Sequence, residues 1–217
     1  NQSRQAVMVW TDTAVYTLQF LGGQAGWGAQ LVSGNISIIS SNAVAYANGV
    51  SYWMGKDKFY IYDGNVRALK CDLLRYVFND INWQQTGQIF AGTTEEYNEI
   101  WWFYCSEDSA TVDRYIVYNY QDNIWYNGTL ARTAWLDSGM RDFPLAATYT
   151  YNLVNHEQGV DDNETGTSTA INASITSGQF DTEDGHKFTL ISRIIPDMTF
   201  DGSTADSPSA TITLYPM

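Results

Sequence analysis

The chain has 217 residues and a formal net charge of -13, from 11 Lys plus Arg against 24 Asp plus Glu. This acidity argues against ordinary nucleic-acid binding, because such binding relies on cationic side chains that neutralise phosphates. No run of about 18 apolar residues is present, and we therefore expect no membrane-spanning segment. Aromatic residues make up 15% of the chain and only 4 residues are proline. Because no long stretch repeats apolar residues at helical spacing, the composition favours an all-β protein.

The first predicted element is a hairpin near the start of the chain. Residues 6–10 and 14–20 are rich in apolar and β-branched side chains, and the polar residues Thr11, Asp12 and Thr13 lie between them. Two such runs separated by a short polar segment predict two antiparallel strands and a turn.

A second unit occupies residues 50–69. An aromatic strand is predicted at 52–54, a tight turn at 55–57 and a second strand at 58–62, after which Asp63, Gly64 and Asn65 break the pattern. The next segment, residues 68–81, could place Leu69, Leu73, Leu74 and Val77 on one helix face. A short helix and an irregular loop both fit that segment.

The clearest unit runs from Glu99 to Trp135. It predicts a strand at 100–105, a polar loop at 106–113, a strand at 114–120 and a further extended run at 124–126, with another turn at Asn127 and Gly128. This order of strand, loop, strand, turn and strand is typical of a β-propeller blade. A truncated copy is predicted downstream, with strands near 146–148 and 152–155.

These repeats predict a partial β-propeller in residues 1–159. About three blades are visible, fewer than the roughly four to eight that close a propeller. We therefore expect the missing blades to lie outside this chain and the chain to be a fragment of a longer protein. Several unrelated hairpins in a β-sandwich are the alternative.

Residues 160–217 differ in character and predict a second, β-rich platform or sandwich domain. A polar loop opens it, and the rest predicts strands with turns at 177–178 and 183–185. Apolar residues fall on both faces of the predicted strand around Phe188 and Leu190, which suits a sheet packed between layers or subunits.

Few residues suggest metal or redox chemistry. Asp161, Asp162 and Glu164, close to His156 and Glu157, are weak candidates for an oxygen-rich cation site, although an acidic loop explains them better. Residues 181–186 could form a short metal-binding turn, but Asp and Gly are also what a tight turn requires. We expect no metal and no cofactor. Cys71 and Cys105 could form a disulfide, but Cys105 fits better as a buried apolar residue.

Three ordered motifs give the chain a family resemblance. The first spans residues 119–135 and includes Asn123, Trp125, Gly128, Arg132 and Trp135; the second is His156, Glu157, Gly159 and Asp161; the third is the Ile-Ile-Pro-Asp run that ends in Pro196 and Asp197. Together they resemble the tail hub or nozzle proteins of short-tailed bacteriophages, also called packaged-DNA stabilisation proteins. The resemblance covers roughly residues 87–214 and weakens towards the start of the chain.

The resemblance implies a structural protein of the virion. In that family several copies form a ring below the portal and adaptor, continue the DNA channel, retain the packaged genome and take part in its ejection. The implied partners are other copies of the chain, portal and adaptor proteins, a tail fibre or needle protein, and double-stranded DNA that passes without sequence-specific binding. The implied fold is a β-propeller joined to a β-rich platform.

The competing hypothesis is a secreted glycan-binding or glycosidase β-propeller. Glu95, Glu96 and Glu99 precede a predicted strand, where paired carboxylates could serve hydrolysis. A sialidase would also need an arginine cluster with a Tyr–Glu pair, and the sequence indicates neither. Because no nucleophile or phosphate-loop motif is found either, we expect that the chain is not an enzyme.

Overall fold

The computed structural model describes residues 6–23, 26–139, 141–178, 190–203 and 206–215. As predicted, the protein is all-β, and its described strands form five antiparallel sheets. The chain divides into two compact units, Asn1–Glu157 and Gln158–Met217. In the described residues no helix is both long enough and apolar enough to cross a membrane.

The described residues of the first unit form four sheets, and each sheet consists of consecutive strands. Sheet 1 contains β1 (Ala6–Trp10), β2 (Ala14–Gly22) and β3 (Gly26–Gly34). Sheet 2 contains β4 (Val44–Ala47), β5 (Val50–Met54), β6 (Phe59–Tyr62) and β7 (Val66–Leu69). Sheet 3 contains β8 (Phe90–Thr94), β9 (Glu99–Tyr104), β10 (Arg114–Asn119) and β11 (Ile124–Thr129). Sheet 4 contains β12 (Ala134–Leu136), β13 (Leu145–Ala147) and β14 (Leu153–Asn155).

The predicted hairpins of sheets 1 and 2 are confirmed. The Thr11 hydroxyl accepts a hydrogen bond from the Ala14 amide at 3.0 Å, which closes the turn between β1 and β2. In sheet 2 the Gly55 amide donates to the Lys58 carbonyl at 2.8 Å, and a Cβ atom at Gly55 would lie only 2.9 Å from that oxygen. A glycine is therefore required for this close approach of the chain.

Sheet 3 confirms the clearest predicted unit, with one correction. The predicted loop after β9 is closed by the Asp113 carboxylate, which accepts hydrogen bonds from the Ser106 amide at 2.8 Å and hydroxyl at 2.7 Å. The turn predicted at Asn127 and Gly128 is wrong, because both residues lie inside β11. Gly128 pairs with Tyr115, whose ring occupies the space where a Cβ atom would be. This glycine therefore makes room for a side chain.

The segment between sheets 2 and 3 contains a short α-helix, α1 (Leu74–Asp80), followed by 3-10 turns at Trp83–Gln88. The predicted helix thus exists but begins later, because Leu69 belongs to β7. Val77 is the buried residue of α1. Another 3-10 turn, Glu95–Tyr97, joins β8 to β9.

The predicted downstream pair corresponds to β13 and β14, to which β12 adds a third strand. Five strands of the first unit were not predicted from the sequence, namely β3, β4, β7, β8 and β12.

The four sheets pack against one another in chain order. Val15 in sheet 1 packs with Trp53 and Tyr60 in sheet 2. The other face of sheet 2 packs on sheet 3 in the largest core, which includes Phe59 and Trp102. The opposite face of sheet 3 packs on Trp135 of sheet 4. Sheet-on-sheet packing of consecutive antiparallel units is compatible with propeller blades, and the propeller itself remains a prediction.

The second unit differs from its prediction. Its described residues contain one sheet of two short strands, β15 (Asp161–Asp162) and β16 (Thr169–Ala170). The strands predicted in residues 171–178, 190–203 and 206–215 are absent from these described ranges. Most of their apolar side chains are exposed, including Ile175 and Leu190, so no described layer covers them. A sheet face without a covering layer gains little free energy from apolar burial. The apolar pattern alone is therefore a poor predictor of strands in this unit. The predicted turn at 183–185 lies outside the described residues.

Candidate functional site

Trp135 of the first motif packs on the face of sheet 3 that is directed towards sheet 4. Successive side chains of a strand point to opposite faces, so Glu99, Trp101 and Phe103 share this face of β9. The strand register places Trp101 level with Val117 of β10, and Val117 level with Tyr126 of β11. We refer to Glu99, Trp101, Tyr115, Tyr126, Arg132, Trp135, His156 and Glu157 as the motif cluster.

Glu99 accepts hydrogen bonds from two residues of the motif cluster. The Tyr126 hydroxyl donates to Oε1, and the Trp101 indole nitrogen donates to Oε2 at 3.0 Å. Burial raises the pKa of the Glu99 carboxyl, and the two accepted hydrogen bonds offset part of that rise. The pKa of Tyr126 is also raised, first by burial and then by its hydrogen bond to Glu99. The phenol is therefore held in its protonated, donating form.

A second carboxylate, Glu157, belongs to the same electrostatic environment. The residue is exposed overall, yet partial desolvation by neighbouring atoms raises the pKa of its carboxyl, and Glu99 and Glu96 raise it further. The pKa of Tyr115 is raised first by burial and then by Glu157 and Glu99. Glu157 has a φ of 57°, a left-handed conformation that is uncommon for a residue with a side chain.

Trp135 of sheet 4 packs on sheet 3. Its ring stacks on Trp101 with 5.1 Å between ring centroids, and its indole nitrogen donates to the Thr93 carbonyl at 2.8 Å. Gly92 allows this approach, because a Cβ atom there would lie 2.4 Å from the Trp135 ring. Since Gly92 is directly opposite Trp101 across β8 and β9, the glycine opens the space that Trp135 fills.

Arg132 and His156 extend the motif cluster beyond Trp135. The Arg132 Nε atom donates to His156 Nε2 at 2.9 Å, and Arg132 is only 5% exposed. The His156 ring lies 4.7 Å from the Trp135 ring. Because Nε2 accepts this hydrogen bond, it carries no proton in this arrangement. The first two motifs thus meet in a partly buried contact between Arg132 and His156.

The remaining residues of the first motif stabilise the other side of sheet 3. Trp125 donates from its indole nitrogen to the Lys70 carbonyl at 2.8 Å and packs on Phe59 of sheet 2. Asn123 has a φ of 58° in the turn before β11 and accepts a hydrogen bond from the Tyr118 hydroxyl at 2.9 Å. These contacts are structural, since each joins one sheet to the next or shapes a turn.

The other predicted residues do not lie in the motif cluster. Gly159 belongs to the second unit, where its φ of 82° suits a turn, and Pro196 and Asp197 are exposed there, outside any strand. Asp161 accepts a hydrogen bond from the Ser168 hydroxyl at 2.9 Å, and Asp162 accepts one from the Glu164 amide at 2.9 Å. Among the described residues no group of three or more acidic, His or Cys side chains could hold a metal ion. The predicted turn at 181–186 lies outside the described residues.

The two cysteines are free, with Cys71 partly buried and Cys105 buried. Burial raises the pKa of the Cys71 thiol to about 12 and that of Cys105 to about 11. Neither thiol is therefore poised as a thiolate nucleophile near neutral pH.

An open cleft lies beside sheet 4. It has a volume of about 630 Å³, and its lining includes Asn42, Gln88, Phe90, Trp135 and Tyr149. The Tyr149 hydroxyl accepts a hydrogen bond from the Val112 amide at 2.8 Å. The cleft therefore combines aromatic surfaces with uncharged amide groups.

Glu99 was a candidate residue from the sequence, but its hydrogen-bond partners were not predicted. The Tyr–Glu pair that a sialidase would need was not indicated by the sequence, whereas the structure joins Tyr126 to Glu99. Alternation along β9 and β11 could have placed both on one face, but the register that brings them together was not available from the sequence. Glu95 and Glu96, named with Glu99, are exposed in the turn before β9.

No protein-family model matches the chain, and no curated protein sequence matches it either.

Proposed function

We propose that this chain is a structural protein of the tail of a short-tailed bacteriophage. In this proposal several copies form a ring in the tail hub or nozzle, below the portal and adaptor. The ring continues the DNA channel, retains the packaged genome and takes part in its ejection. The chain has no catalytic role in this proposal, and its partners are other copies, the portal and adaptor, and a tail fibre or needle protein.

The observation that supports the proposal is that residues of the first two motifs join neighbouring sheets. Trp125 ties sheet 3 to sheet 2, Trp135 ties sheet 3 to sheet 4, and Arg132 pairs with His156 beside Trp135. Residues that carry the family resemblance therefore act in sheet packing. A protein whose most specific motifs are architectural fits a structural virion component better than an enzyme.

The charge supports the same proposal. Three of the basic side chains of residues 56–75 pair with neighbouring aspartates: Lys58 with Asp57, Arg67 with Asp63 and Lys70 with Asp72. An acidic surface repels the phosphate backbone, which suits a channel through which DNA must slide without sticking.

Assembly tests the proposal directly. The purified protein is imaged by negative-stain electron microscopy, alone and with a portal–adaptor complex from a short-tailed phage. We expect a closed ring, either alone or on the adaptor. A protein that stays monomeric and ignores the adaptor would contradict the proposal.

Charge reversal tests the DNA channel. Glu95 and Glu96 lie at one end of β9, and Glu107 and Asp108 follow its other end, so the two exposed pairs are matched in number and charge. In each double variant both residues of one pair are replaced by Lys. We expect such a variant to slow DNA ejection when the pair lines the channel, because cationic side chains bind phosphates. Unchanged ejection with both double variants would count against a channel lined by the ends of β9.

A second candidate function is a glycan-binding or glycosidase β-propeller. The observation that favours it is the Tyr126–Glu99 hydrogen bond beside Glu157, because paired tyrosine and carboxylate groups occur in glycoside chemistry. A glycan array distinguishes the two candidates. Binding that is lost in Glu157→Gln, whose side chain is exposed, would support the glycan hypothesis, whereas an array with no binder would favour the tail protein.

A further inference from the structure

The sequence contains two Asn-Gly dipeptides, and the structure places them in different backbone environments. Asn48 and Gly49 form the turn between β4 and β5, whereas Asn127 and Gly128 lie inside β11. Both asparagine side chains are exposed. The two dipeptides therefore differ mainly in the freedom of the peptide group that joins asparagine to glycine.

The turn between β4 and β5 is a two-residue hairpin turn. Asn48 has a φ of 48° and Gly49 has a φ of 80°, and two positive φ values at these positions define a type I′ turn. Such a turn is closed by a hydrogen bond between the residues on either side of it, here Ala47 and Val50, which are paired in the ladder. The Gly49 amide, in the middle of the turn, is not used in that bond.

Rotation of the peptide group between Asn48 and Gly49 converts a type I′ turn into a type II′ turn, and the closing hydrogen bond is kept. In a type II′ turn the first central residue retains a positive φ and has a ψ of about −120°. That ψ brings the Gly49 nitrogen to the side of the backbone that carries the Asn48 side chain. The φ of Gly49 has to change sign, which a glycine does at little cost. The Gly49 nitrogen therefore gains access to Cγ of Asn48.

We propose that Asn48 is a site of spontaneous deamidation through a succinimide. The Gly49 nitrogen attacks Cγ of Asn48, so that a C–N bond forms and the bond between Cγ and Nδ2 breaks. Ammonia leaves and takes with it the proton of the Gly49 amide. Water then opens the five-membered ring. Attack of water on the backbone carbonyl gives isoaspartate, and attack on the former side-chain carbonyl gives aspartate.

The same reaction is hindered at Asn127. The Leu130 amide donates to the Asp113 carbonyl at 3.0 Å. Because hydrogen-bonded pairs alternate with non-hydrogen-bonded pairs along an antiparallel ladder, Gly128 and Tyr115 also form a hydrogen-bonded pair. Rotation of the peptide group between Asn127 and Gly128 would break that pair. The Tyr115 ring, which lies against Gly128, leaves little room for the movement.

Deamidation at Asn48 changes the hairpin of β4 and β5. Both products add a negative charge, and isoaspartate also lengthens the backbone of the turn by one carbon atom. A two-residue turn fixes the register of its hairpin, so the extra atom disturbs the pairing of Ala47 with Val50. The reaction needs only this hairpin and does not depend on the proposed function.

Peptide mapping by mass spectrometry tests the proposal. The purified chain is incubated at mildly alkaline pH, and the fraction of each asparagine that has lost its amide is followed over time. We expect Asn48 to react at least about tenfold faster than Asn127, because opening the hydrogen-bonded ladder at Gly128 reduces the rate by about that factor. Asn48→Gln should abolish the modification at this position, because the longer side chain cannot close a five-membered ring.

The chain unfolded in guanidinium is the matched control, since unfolding removes both backbone environments. There Asn48 and Asn127 should react at similar rates. Equal rates in the folded chain, or a faster reaction at Asn127, would overturn the proposal. A folded chain in which neither asparagine reacts, although both react after unfolding, would also overturn it, because the turn would then hinder ring closure as the ladder does.

Discussion

Sheet 3 and sheet 1 are both built from apolar and aromatic residues on both faces, but only sheet 3 is covered on both. Trp102 of sheet 3 is fully buried against sheet 2, and Trp101 on its other face is 6% exposed beneath sheet 4. Trp27 of sheet 1 is 61% exposed. The difference shows that apolar residues on both faces of a sheet do not guarantee that the described residues cover both faces.

The largest expected effect is on the free energy of unfolding, when one tryptophan of sheet 3 is replaced and compared with one tryptophan of sheet 1. Trp102 donates from its indole nitrogen to the Ala43 carbonyl at 3.1 Å and packs on Phe59 and Trp125. Removing it leaves a large cavity, although the Ala43 carbonyl keeps its hydrogen bond from the Met54 amide. Trp102→Ala should therefore lower the free energy of unfolding by about 3–5 kcal/mol. Trp27→Ala should lower the free energy of unfolding by less than about 1 kcal/mol, since the ring is mostly exposed.

Urea unfolding followed by circular dichroism measures both values. Both variants are made in the same parent chain. Equal losses for the two tryptophans would mean that sheet 1 is covered within the same chain, contrary to the comparison.

A smaller effect is expected where sheet 4 covers sheet 3. Gly92→Ala would place a Cβ atom 2.4 Å from the Trp135 ring, which is itself stacked on Trp101. Because the ring has to move, we expect a loss of about 1–3 kcal/mol in the free energy of unfolding. Gly34→Ala, at the end of sheet 1, has no atom within 4 Å of the added methyl group and should have little effect. A neutral Gly92→Ala would contradict the tight packing of Trp135.

Local patterns in the sequence predicted most of the strands that lie in compact hairpins. Turn residues such as those at 11–13 and 63–65 bounded the predicted strands correctly, because their chemistry acts over a few residues. Strands β8 and β12 were missed, since each is short and its place in a sheet depends on partners distant in sequence. In residues 160–217 the apolar pattern predicted strands that the described ranges lack.

The candidate site was less predictable than the fold. The sequence indicated that Trp135 and Arg132 belong to a motif. Their contacts were not predictable, because Trp135 packs against Gly92 and Arg132 binds His156, and both partners lie outside that motif. The pairing of Tyr126 with Glu99 likewise requires the register of three strands. Long-range register is set by the whole core, and the local pattern does not contain it.

The smallest expected effect concerns the pH dependence of stability at Glu99, at the margin of the covered face. Its pKa in the folded state is raised above the ordinary 4.5 because burial outweighs the hydrogen bonds from Tyr126 and Trp101. The folded state therefore binds the proton more tightly than the unfolded state. The stability that Glu99 contributes is present below the ordinary pKa and is lost as the pH rises through the folded value.

Comparison with Glu99→Gln isolates this contribution, since the other titrating groups are common to both chains. The free energy of unfolding of the parent, minus that of Glu99→Gln, should fall as the pH rises from about 4 to 7. A difference that rises with pH would mean that the hydrogen bonds from Tyr126 and Trp101 outweigh burial. Sheet 4 would then cover sheet 3 less completely around Glu99 than around Trp101. Sheets 3 and 1 would differ in how much of the second face is covered, rather than in whether it is covered.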